Sequence, residues 1–190
     1  MPTFRVLHPD LNWGKWNCHL DLRQEEDRSR AHDLIWNADV VIDGYRPHVL
    51  DRFGAAYEVV FELGKQHGRG YIYVRENCFG WTGPWSHRPG WQPISDAYTN
   101  ISMGFGRAIG REEALTPVLP NSESCTGIAG ACGVPGALML RADKGGSVLV
   151  SIAINYYNKW LMDHRRIRKR RLGRRSGLVM VVRSFVTLTA

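Results

Sequence analysis

Apolar residues along this chain follow two alternating rhythms. From Glu25 to Asn37, Ala31, Leu34 and Ile35 sit three and four apart among charged neighbours, which predicts a helix with one apolar face. Residues 39–43 (Asp-Val-Val-Ile-Asp) are a β-branched run with polar ends, the pattern of a buried strand. Gly44 and Pro47 stop it. Helical spacing returns over residues 50–66 through Phe53, Tyr57, Val60, Phe61 and Gly64, and residues 71–74 (Tyr-Ile-Tyr-Val) read as the next strand. Beyond them the pattern predicts a helix over 95–104 with Asp96 in its first turn, a loop over 107–119 and a helix within 121–141. A strand over 147–152 and a short helix over 153–161 follow. Residues 1–23 read as irregular, closing on a strand candidate at 19–22. Strands alternating with helices predict an α/β fold with a parallel sheet.

Two stretches break the rhythm. Residues 75–97 are dense in turn formers, Gly80, Gly83, Pro84, Pro89 and Gly90, and carry the large rings of Phe79, Trp81, Trp85 and Trp91. Such a loop either lines a ligand site or packs over a core edge, and composition alone leaves both open. The helix within 121–141 holds Gly127, Gly130, Gly133 and Gly136 at every third position. Each costs about 1 kcal/mol of helix propensity against alanine, so a close approach to another helix or to a ligand is expected to compensate. Pro135 is expected to kink or break that helix.

Composition changes the picture mainly at the C-terminal end. Of 25 Lys and Arg residues, nine lie beyond residue 162, leaving 16 against 17 acidic residues before it, so the +7 net charge belongs to an arginine-rich stretch at 163–190. The body, 1–162, is near neutral, and the high pI gives no argument that it binds nucleic acid. The tail is expected to be irregular and disordered. Cys18, Cys78, Cys125 and Cys132 show no C-x-x-C spacing and read as reduced thiols. There is no unbroken apolar run of about 18 residues, so no membrane span is expected. The seven histidines lack metal-ligand spacing, no phosphate-binding G-x-x-x-x-G-K-[ST] loop occurs, and Gly104, Gly106 and Gly110 are too loosely spaced for a dinucleotide fingerprint.

Three separated segments, 38–47 (Ala-Asp-Val-Val-Ile-Asp-Gly-Tyr-Arg-Pro), the aromatic loop and 120–127 (Pro-Asn-Ser-Glu-Ser-Cys-Thr-Gly), occur here in an order that resembles CoA-transferase family III. This is the CaiB/BaiF group of formyl-CoA transferases and α-methylacyl-CoA racemases. The wording, with 155–161 (Asn-Tyr-Tyr-Asn-Lys-Trp-Leu), is closest to a fungal-type branch. The resemblance runs from Leu11 to Leu161 and implies a Rossmann-like parallel sheet with flanking helices, incomplete at both ends. It also implies an interlocked homodimer, with acyl-CoA and a carboxylic acid as substrates. From the histidine spacing, the near-neutral body and the reduced thiols, no metal, no specific nucleic-acid partner and an intracellular, cytoplasmic location are expected. Mitochondrion and peroxisome stay open.

The resemblance also places residues. Glu123, four before Gly127, stands where the family has a nucleophilic aspartate that attacks the thioester carbonyl. Its extra methylene shifts the carboxylate by about 1.5 Å, a displacement that can cost on the order of 10²-fold in rate. A glutamate in the first turn of a helix is equally a product of the helix dipole, and that reading stays open beside the catalytic one. Tyr45, Arg46, Arg52 and Arg88 fall at positions implied to grip the adenine and phosphates of CoA, for which guanidinium supplies paired donors. In racemase members a His–Asp pair occupies the positions of Trp91 and Gln92, neither of which exchanges protons near neutral pH, so racemisation is the weaker expectation. The competing class is a catalytically inactive fragment or degenerate relative. Weaker still is a nucleic-acid binder working through the arginine tail, which also reads as a shifted frame after Leu161.

Overall fold

The computed structural model describes residues 11–168 and 186–189. The chain divides into two compact units, Met1–Asn37 and Ala38–Ala190.

In the first unit helix α1 (Glu25–Asn37) stands at the expected bounds. Glu25, Glu26 and Asp27 occupy its first turn, where the dipole favours negative charge. Asp27 also accepts the Asp21 N–H at 2.8 Å. The expected apolar face is poorly covered: Leu34 is exposed and no residue of α1 is fully buried. Residues 19–22 form no strand. Asp21 instead folds back onto Arg23 through paired 2.8 Å hydrogen bonds, which hold its carboxyl down to about 2. A side chain tied to its own neighbour by a turn does not support an extended run.

The second unit is built on a sheet of order β1-β2-β3-β4. Strands β1 (Val40–Asp43), β2 (Ile72–Asn77) and β3 (Val148–Ala153) are mutually parallel, with Val40 opposite Ile72 and Ile72 opposite Val148. The alternation of strand and helix read from the sequence is this parallel α/β arrangement. Between β1 and β2 run a 3₁₀ turn (Leu50–Phe53) and α2 (Tyr57–Gln66), where one continuous helix was expected; Gly54, in left-handed conformation, separates them. Between β2 and β3 come the aromatic loop, α3 (Gln92–Tyr98), α4 (Ile101–Ala108) and the long α5 (Asn121–Lys144). Asn100, at φ 67°, splits the helix expected over 95–104.

Helix α6 (Ile154–Arg168) follows β3 directly, and β4 (Val186–Thr189) pairs antiparallel to β3. The helix therefore continues past residue 163, and part of the expected irregular tail is a strand. The rest of the arginine-rich stretch lies outside the described residues.

The core is where the sheet meets α5. Ile72, Val74, Val148, Val150 and Ile152 pack against Ala129 and Ala137, all essentially inaccessible to water. At about 25 cal/mol per Å² of apolar surface, this face is the main source of the unit's stability. The glycine repeat has a partial explanation here: a side chain on Gly130 would stand 2.7 Å from Ile152 Cδ1, whereas one on Gly127 would meet open space. Pro135 sits inside α5 without ending it. By length and composition α5 is, among the described residues, the one helix apolar enough to cross a membrane; core helices pass the same test. Strand β1 departs from its expected burial: it is the sheet's edge, and Ile42 is 69% exposed.

Candidate active site

Because β1, β2 and β3 run the same way, their C-terminal ends share one edge of the sheet, where ligands of open α/β sheets collect. A cavity of about 370 Å³ lies there. The turn after β1 supplies Gly44, Tyr45 and Arg46, the end of β2 supplies Glu76, Asn77 and Cys78, and α5 supplies Glu123 and Thr126. Pro47, residues 88–91 of the aromatic loop and Ile154 complete the lining.

Local chemistry holds each wall in place. Asp43 Oδ1 accepts the Tyr45 N–H at 3.0 Å, an Asx turn that presents Tyr45 and Arg46 at the strand's end. Asn77 exchanges hydrogen bonds with Gly80, accepting its N–H at 2.8 Å and donating to its carbonyl at 2.7 Å. Gly80, at φ 95°, lies so close to Tyr156 that an added Cβ would sit 2.6 Å from its ring. The Tyr156 hydroxyl also accepts the Trp81 N–H at 2.9 Å, which ties the loop to α6. Phe79, Trp85 and Tyr98 then form a ring cluster, with centroids 4.8 to 5.7 Å apart, and Arg88 stacks 4.9 Å from the Trp85 centroid. The aromatic mass of the loop thus does both jobs the sequence left open: the Phe79–Trp85–Tyr98 cluster stiffens it, and Trp91 lines the cavity.

Four of the five residues singled out from sequence, Tyr45, Arg46, Arg88 and Glu123, line this one cavity. Arg52 does not; it lies exposed in the 3₁₀ turn, outside the lining. Among the described residues no carboxylate pairs with Arg46, Arg52 or Arg88.

Glu123 is held by a reciprocal clamp. Its Oε1 accepts the backbone N–H of Gln92 at 3.1 Å, and its own N–H donates to Gln92 Oε1 at 3.1 Å. Both are first-turn N–H groups without intrahelical acceptors, and neither Trp91 nor Pro120, the preceding residues, caps them by side chain. Helices α3 and α5 therefore cap one another. Glu123 is still exposed, and its Oε2 has no hydrogen bond among the described residues.

Glu76 and Cys78 were not found by the sequence reading. Burial pushes the Glu76 carboxyl up, and the charges of Glu123 and Asp43 add to it. A carboxyl raised on folding gives stability that is full below the ordinary value of 4.5 and is lost as pH rises through the folded value. Glu76→Gln is accordingly expected to melt higher than the unaltered chain at pH 7, with the two melting points converging near pH 4; thermal unfolding across that range checks it. Cys78 is pushed up to about 11, first by burial and then by Glu123, so its thiol stays protonated and is a poor rival nucleophile.

Comparison with known proteins identifies the family. The family model described as CoA-transferase family III matches residues 5–178, and the chain belongs to that family. The match passes Leu161, so the expectation that the resemblance ends there is corrected. An acetyl-coenzyme A transferase of Hypoxylon pulicicidum is 59% identical over 157 residues, covering 83% of this chain and 26% of the relative. An acetyl-CoA:oxalate CoA-transferase of Acetobacter aceti is 33% identical over 144 residues, covering 76% and 36%. Among solved structures, a CAIB/BAIF family protein from Brucella suis superposes with a TM-score of 0.70 at 23% identity, covering 86% of this chain and 42% of that one. A Mycobacterium tuberculosis protein in an orthorhombic crystal form gives 0.71 at 22%, covering 82% and 42%. The chain spans about a quarter to a third of the length of these curated relatives.

Proposed function

We propose that this chain carries the acyl-CoA site of a CoA-transferase, with Glu123 as nucleophile. The observation that supports it is the convergence of Glu123 with two guanidinium groups, Arg46 and Arg88, on one cavity at the sheet's C-terminal edge. The grouping suits a thioester at the carboxylate and phosphates at the cations.

The chemistry needs no redox partner. A Glu123 oxygen attacks the thioester carbonyl, the C–S bond breaks, and CoA leaves as thiolate, giving a mixed anhydride. The thiolate then attacks the Glu123 carbonyl, releasing the first acid as carboxylate and leaving a glutamyl–CoA thioester. The acceptor carboxylate attacks that thioester, and the thiolate resolves the second anhydride, regenerating Glu123. The Gln92 N–H on Oε1 fixes the direction of attack and leaves Oε2 to make the bond. The acyl group that the site prefers follows from the same reading only as a class, a carboxylic acid carried as its CoA thioester.

Racemisation finds no support, since Trp91 and Gln92 stand where a proton-exchanging pair is required and Gln92 is occupied in the clamp. The homodimer expected from the resemblance belongs to this proposal too: the outer face of α5 leaves Ile128 63% and Met139 74% exposed.

The test is oxygen transfer. Turnover of acetyl-CoA with acetate carrying ¹⁸O in its carboxylate is expected to leave ¹⁸O in the Glu123 side chain, because the acceptor oxygen that attacks the glutamyl thioester stays on Glu123 when the thiolate resolves the second anhydride. Turnover that leaves no label on Glu123 would replace this mechanism with a direct, non-covalent transfer.

A further inference from the structure

The clamp on Glu123 depends on which way the Gln92 amide faces, and a second, deeper carboxylate sets that. Asp96, one turn further along α3, is fully buried. Its Oδ2 accepts from Gln92 Nε2 at 3.0 Å, while its Oδ1 accepts from Ser122 Oγ at 2.8 Å and from Asn158 Nδ2 at 2.9 Å. Donors from α3, α5 and α6 thus converge on one side chain, an arrangement that suits a carboxylate using both oxygens. Asn158 Nδ2 also donates to Ser95 Oγ at 3.0 Å, and Ser95 Oγ donates to Asn155 Oδ1 at 2.6 Å. Asn158 Oδ1 is buried without a hydrogen bond among the described residues, so the layer is held through the Asn158 NH₂ alone.

Gln92 presents one donor end and one acceptor end. With Nε2 committed to Asp96, and more distantly to the Leu119 carbonyl at 3.4 Å, its Oε1 must face the Glu123 N–H. Turning the amide over would set Nε2 against that N–H, donor to donor, and open the clamp. Ser122, held by the same carboxylate, is the residue immediately before Glu123.

We propose that Asp96 is a positioning residue for Glu123: the buried carboxylate fixes the Gln92 amide and Ser122, and through them the place and direction of the Glu123 carboxylate. This rests on Glu123 being the nucleophile, as proposed above. Asp96 itself touches no substrate; it does not line the cavity.

The decisive experiment is a charge exchange in the full chain between positions 92 and 96. In Asp96→Asn the new amide can meet the Gln92 NH₂ with its own NH₂, which favours the turned-over Gln92. Its kcat is expected to fall about 10- to 100-fold, with KM for acyl-CoA within about twofold, because orientation and not binding is lost. Gln92→Glu alone sets two carboxylates against each other and is expected to lose at least about 10-fold in kcat. Together the two changes restore the pattern. The amide then at position 96 donates to the carboxylate then at position 92, whose second oxygen still accepts the Glu123 N–H. The double variant D96N/Q92E is therefore expected to exceed Gln92→Glu by about 10-fold, which reads the coupling whether or not Asp96→Asn folds well.

A second readout does not need activity. The Glu123 amide is expected to exchange its hydrogen about 10-fold faster in Gln92→Glu and Asp96→Asn, and to slow again in the double variant. If Glu123→Gln turns over as the unaltered chain does but exchange follows this order, the nucleophile assignment fails and the positioning network stands. If the folded double variant is no more active than Gln92→Glu and its Glu123 amide exchanges no slower, the inference is overturned.

Discussion

Glu123→Gln is expected to abolish acyl transfer, with kcat reduced by at least about 10³-fold, while the chain keeps its melting temperature. Glutamine keeps the length of the original side chain and one of its acceptor oxygens. Its Oε1 can still accept the Gln92 N–H, so the mutual capping of α3 and α5 survives and the fold has no cause to change. What disappears is the carboxylate oxygen that forms the anhydride; an amide in its place is not a nucleophile at neutral pH. Glu123→Asp makes the complementary test. Aspartate is the residue expected here from the family, but in this chain the Gln92 N–H is placed for the longer side chain; the shorter one withdraws the carboxylate by about 1.5 Å and gives up that hydrogen bond, so about 10²-fold is expected to be lost. Steady-state rates and thermal melts of both variants check this. A Glu123→Gln chain that turns over within tenfold of the original would remove Glu123 from the mechanism.

Arg46→Ala and Arg88→Ala are expected to raise KM for acyl-CoA by about 10- to 100-fold each, with kcat within about twofold. A charge-assisted hydrogen bond to phosphate contributes about 1.5–3 kcal/mol, and it is made equally in the ground and transition states. The two residues line the cavity from different segments, the β1 turn and the aromatic loop, so their effects are expected to multiply in the double variant. Arg52→Ala, outside the lining, is expected to leave KM within about twofold. Substrate-saturation kinetics on all three separate a phosphate grip from a general loss of positive charge. A fall in kcat at unchanged KM for Arg46→Ala would place that residue at the reacting centre instead.

The legible part of this protein was the part written in local pattern. The helix over 25–37, the β-branched strand before Gly44 and the apolar strand at 147–152 follow from side-chain period alone, and the aromatic loop announced itself by composition. The exposed edge of β1 was not legible, because a run such as Val-Val-Ile specifies a strand but not how many neighbours cover it. Strand 19–22 failed because Asp21 has a nearer partner in Arg23 than any ladder.

The candidate site divides the same way. Tyr45, Arg46, Arg88 and Glu123 came from resemblance at separated motifs, while the cavity that joins them is a consequence of parallel strands ending on one edge. Gln92, Asp96, Ser122 and Asn158 carry a weaker signal, polar side chains recurring at helical spacing on three helices: 92 with 95 and 96, 122 with 126, 155 with 158. That spacing says each set shares a face. It cannot say that the three faces meet, since contacts such as Asp96 to Asn158 bridge 62 residues of sequence. Glu76 gave no signal at all, because its meaning lies in its burial beside the charge of Glu123.

Covalent catalysis by Glu123 is tested most directly by peptide mapping of the chain after incubation with labelled acyl-CoA and quenching in hydroxylamine. Attack on an acyl-glutamyl anhydride or glutamyl thioester leaves a hydroxamate on the side chain it came from. That modification is expected on Glu123, dependent on acyl-CoA and absent from Glu123→Gln. A hydroxamate on Glu76, or persistence of the modification in Glu123→Gln, would contradict it.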